Sequence, residues 1–571
     1  MKKLLPLSAA ILLAISNAQA AGSNASTTQN GSNNSASTSQ TGNAHNATVV
    51  QSIAADSVAT VNQSGESQTA TVTQTGDPAF TQTQSSHVSV EQHGGALNSA
   101  TALQSHVENT EALISQTGNQ NTTDVNQSHV SSSSARVDQT GDLNNANVRQ
   151  YGYGIHNPAS ATVAQTGNSN NAISNQDTST DATTAIIQEG DSNQANVNQL
   201  AESTNSNVDI MQQTSNASAF ATQSASADSN ISITQNNNAS STASVSQSNG
   251  SANMANVTQT DSSNGLTSAT VSQNGSNNSA TTFQQHVWDT NLTVNQDGMT
   301  NTASVNQEHT NQSNADVSQV GADNIATVRQ YGFGTHEPAS ASVNTMGNSN
   351  DVNINQDDSF QAVASVAQVG DSNMVDIDQL NESQNAEVHV TQVNASTGGN
   401  VVVMQNAAAD SMVNVNQSSA TNGLVNVQQS SGSTMMASVD QSNSFGGSAM
   451  VNQSGIDLNA SVSQSGTENM ANVTQTATLN GATVAQMGDF GTADVMQSGN
   501  NNDAMISQSG GSYNDAMLMQ SGDDNIANIS QDGFGMGAAH NMAMVSQLST
   551  GDAASITQTG GAGNTATIMQ N

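Results

Sequence analysis

Glutamine recurs about every 11 or 12 residues along this 571-residue chain, usually with glycine two places on. A primary amide donates and accepts hydrogen bonds at once. Amides at a fixed spacing can therefore bond one another in rows when the chain stacks on itself, a chemistry of cohesion rather than of catalysis. The full unit reads Q-x-G-x-x-N-x-A-x-[V/I]-x-Q. It runs from Gln139 through Gly141, Asn144 and Ala146 to Gln150, and from Gln188 through Gly190, Asn193 and Ala195 to Gln199. Further copies are Gln296, Gly298, Asn301, Ala303 and Gln307, then Gln319, Gly321, Asn324, Ala326 and Gln330. Towards the C-terminus come Gln464, Gly466, Asn469, Ala471 and Gln475; Gln497, Gly499, Asn502, Ala504 and Gln508; and Gln520, Gly522, Asn525, Ala527 and Gln531. Near-matches such as that from Gln273 fill the gaps, and the first unit opens at Gln29.

Residues that usually do chemistry are not arranged to do it. The eleven histidines fall in no HExxH and no tight cluster; His106/His286, His129/His309 and His156/His336 are pairs at one offset of 180, so duplication accounts for them. YGYG at Tyr151 and YGFG at Tyr331 resemble a phosphate loop only loosely, with no lysine and no following helix. They read as insertions between strands, and Tyr151, Tyr331, Phe333 and Phe534 mark where such loops leave the body. No GxSxG stands at a strand-to-helix turn. Without cysteine, disulfide scaffolds and thiolate metal sites are excluded. The methionines Met496, Met505, Met517, Met519 and Met544 read as replacing apolar residues in or beside the core, ahead of a copper role. No catalytic, cofactor-binding or metal residue is assigned, and no cofactor is expected.

Composition narrows the class. Apolar residues make up 34%, aromatic 2% and charged 8%, against roughly 45–50% apolar and 25% charged in globular domains. Such a chain cannot fill several oily cores, which argues against a conventional multidomain enzyme. Residues 1–20 read as a secretory signal peptide: Lys2 and Lys3, an apolar run over 4–15, and Ala18-Gln19-Ala20 before the cut. Its removal takes both lysines and shifts the net charge from −38 to −40, leaving Arg136, Arg149 and Arg329 as the only lysine or arginine charges. Nucleic acid therefore has no electrostatic footprint here. Nothing later is apolar enough to embed in a membrane. Acids such as Asp142, Asp191, Asp371 and Asp489 sit after the glycines and read as solubilising charge, ahead of a divalent-cation row.

Positioning the amides requires strands. In A-x-V-x-Q the named residues alternate, so all three share one face. In the Gln319 unit these are Ala326, Val328 and Gln330, while Thr327 and Arg329 point outward. The inward set keeps its identity among copies and the outward set drifts, which marks packing against solvation. Gly-x-x-Asn reads as the turn: glycine takes positive φ, and asparagine tolerates the left-handed region and bonds locally. The expected fold is all-β, a β-solenoid of strand–arc–strand rungs of about 23 residues stacked at ~4.8 Å. That gives roughly 24 rungs and a rod on the order of 115 Å. Glutamine rather than glutamate is required inside, since stacked carboxylates would repel. The spacing of two excludes amphipathic helices, and a face that repeats with period two argues against disorder as the final state. A larger period overlies the small one, residues 139–200 matching 319–380, and growth by block duplication suits a fold in which each unit meets only its neighbours.

The five spaced residues of the unit resemble the curlin repeat, over nearly the whole chain from Gln29 to Gln570. The resemblance implies a structural subunit of extracellular, curli-like amyloid fibres, exported through the periplasm and assembling for biofilm matrix and surface adhesion. It implies self-association, with a nucleator subunit and a curli-type outer-membrane secretion pore as partners. Curlin subunits are shorter and carry a longer segment before the first repeat than residues 21–28 here. Units such as 74–84 and 199–212 are degenerate and read as weak rungs or gatekeepers. The domain reading is a signal peptide over 1–20, a short segment over 21–28 and the repeat solenoid over 29–571. A solenoid without distinct end elements exposes unpaired backbone groups that can add another copy, and repeats running to Gln570 fit that expectation. The alternative is a monomeric secreted β-solenoid adhesin or ice-binding protein. An ice-binding face needs a regular Thr-x-Thr ladder, which Asn147/Arg149, Asn196/Asn198, Thr327/Arg329 and Asn528/Ser530 do not make.

Overall fold

The structure, a computed structural model, describes residues 14–15, 21–76, 83–152, 158–237, 240–261, 266–332, 338–533 and 539–571. The expected signal peptide lies outside the described residues except for the two-residue strand Ala14–Ile15. His156, His336, Phe333 and Phe534 also lie outside them. The chain divides into two compact units, residues 1–286 and 287–571. Each is a parallel β-solenoid, and the described residues contain no helix.

In the first unit, Glu111–Thr117 pairs in parallel with His87–Ala96 on one side and Ser134–Thr140 on the other. The intervening strands Ser99–Ser105, Thr122–Ser128 and Asn145–Tyr151 form the opposite sheet. The chain thus crosses between sheets at every arc and returns one rung on. The second unit repeats the scheme, with Thr302–Glu308, Ile325–Tyr331 and Asp351–Asp357 in one sheet. Asn314–Ala322, Ala339–Asn348 and Ala362–Asp371 lie in the other.

Like residues stand beside like. Ala112 pairs with Ala135, Ile114 with Val137 and Gln116 with Gln139; Ala303 pairs with Ala326, Val305 with Val328 and Gln307 with Gln330. Along Asn145–Tyr151, Ala146, Val148 and Gln150 are buried while Asn147 and Arg149 are exposed. A one-residue slip would turn every such strand inside out. One buried valine contributes about 1.5–3 kcal/mol and one satisfied amide bond about 1 kcal/mol, so the polar row and the oily row are of comparable weight.

The arcs correct one expectation. Glycine does take positive φ, as at Gly141 (φ 112°), and a Cβ there would lie 2.0 Å from the Gly167 carbonyl oxygen on the next rung. The left-handed non-glycine residue, however, is the one before the asparagine: Leu143 at φ 61° before Asn144, and Asp323 at φ 57° before Asn324. The asparagine itself is buried and serves as a ladder residue. The first long strand, Asn24–Ser32, begins inside the segment set apart as residues 21–28, because each glutamine closes a strand before it opens an arc.

Candidate functional site: buried amide ladders

Two columns of glutamines run through each unit. In the first unit Gln139 lies between Gln116 and Gln165, at 2.9 and 2.8 Å, and Gln150 between Gln127 and Gln176, both at 2.8 Å. Gln188 and Gln199 bond onward to Gln212 and Gln223 at 2.9 and 3.0 Å. In the second unit Gln296 bonds to Gln319, and Gln307 to Gln330 and on to Gln356, at 2.8–2.9 Å. Gln464, Gln475, Gln497, Gln508, Gln520 and Gln531 each donate to the glutamine one rung ahead at 2.8–2.9 Å. Successive partners are most often 23 or 24 residues apart, and Gln74 and Gln104 are 30 apart.

Every one of these bonds has the same sense: the earlier residue's Nε2 donates to the later residue's Oε1. The second Nε2 proton sets that sense by bonding a backbone carbonyl of the facing sheet. Gln139 Nε2 donates to Thr122 O at 3.1 Å, and Gln330 Nε2 to Asn314 O at 3.1 Å. Each amide thus ties its own sheet along the stack and the two sheets across the core. Aligned amides polarise one another.

The asparagines make a second row at the corner. Asn144 N donates to Asn121 Oδ1 at 3.0 Å, and Asn144 Nδ2 to Gly167 O at 2.7 Å. Asn193 repeats this with Asn170 and Thr214. Asn324 does so with Asn301 and Gly347, and Asn301 Nδ2 reaches Gly321 O. Asn469 Nδ2 reaches Gly488 O, and Asn502 N and Asn525 N take the Oδ1 of Asn480 and Asn502. Glycine and asparagine in the repeat are therefore one device: the carbonyl next to the glycine's open Cα accepts the asparagine amide. Gly190, Gly298, Gly321 and Gly466 share the positive φ, while at Gly499 and Gly522 a Cβ would meet the carbonyl oxygens of Gly522 and Ser549 at 2.0 and 1.8 Å. Ala195, Ala303, Ala326, Ala471, Ala504 and Ala527 are fully buried beside the glutamines.

Other residues fall differently from the sequence reading. The stretch 199–212 is no weak rung, since Gln199 and Gln212 both hold ladder bonds. Gln84 is exposed and carries no ladder role, while Gln74 bonds to Gln104. His106 and His129 do meet: their rings stack at 4.7 Å, and Tyr151 packs edge-on to His129. Burial first, then the neighbouring His106, pushes the His129 pKa down. Arg149 and Arg329 lie over Tyr151 and Tyr331 and pair with Asp177 and Asp357. The five methionines named from the sequence do not fill the core: Met496, Met505, Met517 and Met544 are exposed on outward faces and Met519 is half-buried on the same side, whereas Met435 is buried beside Ala408 and Leu458. The arc acids Asp142, Asp191, Asp371 and Asp489 each accept a backbone N–H one rung back, from Asn119, Asn168, Asn348 and Thr467, at 2.7–2.8 Å. Asn168 separates Asp142 from Asp191 in that row, so like charges are spaced by an amide. Among the described residues no three His, Asp or Glu side chains cluster for a metal, and no helix is long and apolar enough to cross a membrane.

In-register parallel rungs joined by columns of buried amides define a repeat solenoid whose contacts are structural. Within that solenoid, the family model described as the curlin associated repeat matches residues 268–308 and 480–510. A comparison with curated proteins finds no match.

Proposed function

We propose that this chain is a structural subunit of extracellular, curli-like amyloid fibres that serve as biofilm matrix and surface adhesin, and that it is secreted to the cell surface to assemble. One observation carries the reading: the described rungs offer backbone and amide donors on one side and acceptors on the other in one register, with Thr345 the exception in the second unit. A rung of a second chain can then satisfy the same backbone ladder and the same two amide columns as the next rung of its own chain. A heterologous contact of this kind does not close and propagates as a filament. Self-association is therefore the first partner, with a nucleating subunit and an outer-membrane pore as further ones. No catalytic step is assigned, since the repeat and its solenoid are structural. The test is seeded growth of the purified chain without its leader. Short seeds are expected to abolish the lag, and the product to diffract at about 4.7 Å along the fibre and 10 Å across it. Soluble chain that persists at high concentration with seeds present would overturn the proposal.

A further inference from the structure

We propose that the outer face of the strands Thr492–Gln497, Asn514–Gln520, Asn541–Gln547 and Thr565–Gln570 binds a soft monovalent metal cation, Cu⁺ or Ag⁺, through the thioethers of Met517, Met542 and Met544. Met517 and Met544 are register partners on adjacent strands, and Met542, two residues before Met544, lies on the same outward face. Their exposures are 42%, 38% and 49% in the order Met517, Met544, Met542. All three line one groove of about 280 Å³, together with Asp494 and Asp515.

The neighbouring outward column of the same strands holds Met496, Met519, Ser546 and Met569, but only Met517, Met542 and Met544 line the groove beside the two carboxylates. Adjacent parallel strands lie about 4.7–4.9 Å apart, and methionine, unbranched and flexible, can bring its sulfur onto a common point from either strand. Thioether sulfur is a soft ligand that selects Cu⁺ over hard cations. Two carboxylates are too few for calcium, which takes six to eight oxygens. They do supply local negative charge, in a chain whose net charge of −38 concentrates cations. His540 Nδ1 holds the Asp515 carboxylate at 2.8 Å and so fixes one wall. The same carboxylates make the groove a poor seat for an apolar partner, which would have to desolvate them.

Silver ion is the redox-inert probe. Titration of the full chain with Ag⁺ should reveal a site that weakens by more than about tenfold in M517L/M544L, where apolar bulk is kept and sulfur removed. M496L/M569L, on the same strands outside the groove lining, should bind like the parent. Silver-edge X-ray absorption of the loaded parent should show a sulfur shell, a readout that does not depend on any variant folding. Equal Ag⁺ affinity in the parent and M517L/M544L, or a shell of nitrogen and oxygen alone, would overturn the proposal.

Discussion

Thr345 stands in register between Gln319 and Gln368, and there the glutamine column of the second unit is broken. Gln319 Nε2 keeps its bond to Thr302 O at 3.0 Å. Thr345 Oγ1 and Gln368 Oε1 are buried without a partner among the described residues. In the duplicated block the corresponding residue is Gln165, which accepts from Gln139 and donates to Gln188, both at 2.8 Å.

Thr345→Gln should therefore stabilise the second unit. Restoring one ladder donor to Gln368 and one acceptor to Gln319 removes a desolvation cost of about 1–3 kcal/mol. A raised guanidinium midpoint is the expected result; a lowered midpoint would mean that the space at Thr345 has closed.

An inward glutamine should not tolerate a charge. Gln330→Glu keeps the acceptor for Gln307 but loses the donors to Gln356 and to Asn314 O. The cost at neutral pH should be about 3 kcal/mol or more, with slower fibre growth. Burial raises the folded pKa of such a carboxyl above its unfolded value near 4.3. The penalty is thus small below about pH 4 and grows as pH rises towards the folded pKa. Outward Thr327→Ser should leave growth rates near those of the parent.

Arc glycines differ in what they permit. Gly141→Ala places a Cβ 2.0 Å from Gly167 O at φ 112°. The strain alone costs about 1–3 kcal/mol, and the next rung must also shift. Gly94→Ala, at φ 60° with open space around the new Cβ, should cost about 1 kcal/mol. Thermal unfolding of the two variants should separate them in that order.

Asp351 gives a pH dependence of known sign. Burial first, then Asp376, raises its pKa above 3.8. The folded chain thus holds this proton more tightly than the unfolded chain, and stability is lost as pH rises from 3.8 through the folded pKa. Asp351→Asn, which matches Asn171 in the duplicated block, should stabilise the chain slightly at pH 7 and leave it unchanged at pH 3. A variant less stable at pH 7 would contradict the assignment.

Much of this architecture is legible in the residues because the solenoid reuses one environment. Alternation in A-x-V-x-Q gives the buried face directly, and the constancy of glutamine among copies marks the ladder. What sequence reading misses depends on neighbours a rung away. Asn144 looks like a turn residue until Asn121 and Gly167 are seen to be its partners. Met517 looks like a core substitute because hydrophobicity does not reveal which parity of the strand it occupies. The stretch 199–212 looks degenerate because its glycine and asparagine are absent, although the glutamines that hold the stack remain.

Adjacent residues Gln428 and Gln429 offer the most direct test of the central claim. Gln429 is buried and bonded to Gln405 and Gln453, while Gln428 faces solvent. Side-chain amide hydrogen exchange in the folded chain should find the Gln429 Nε2 protons protected as strongly as the backbone of its strand, and those of Gln428 exchanging freely. Equal, fast exchange at both would contradict a buried amide ladder.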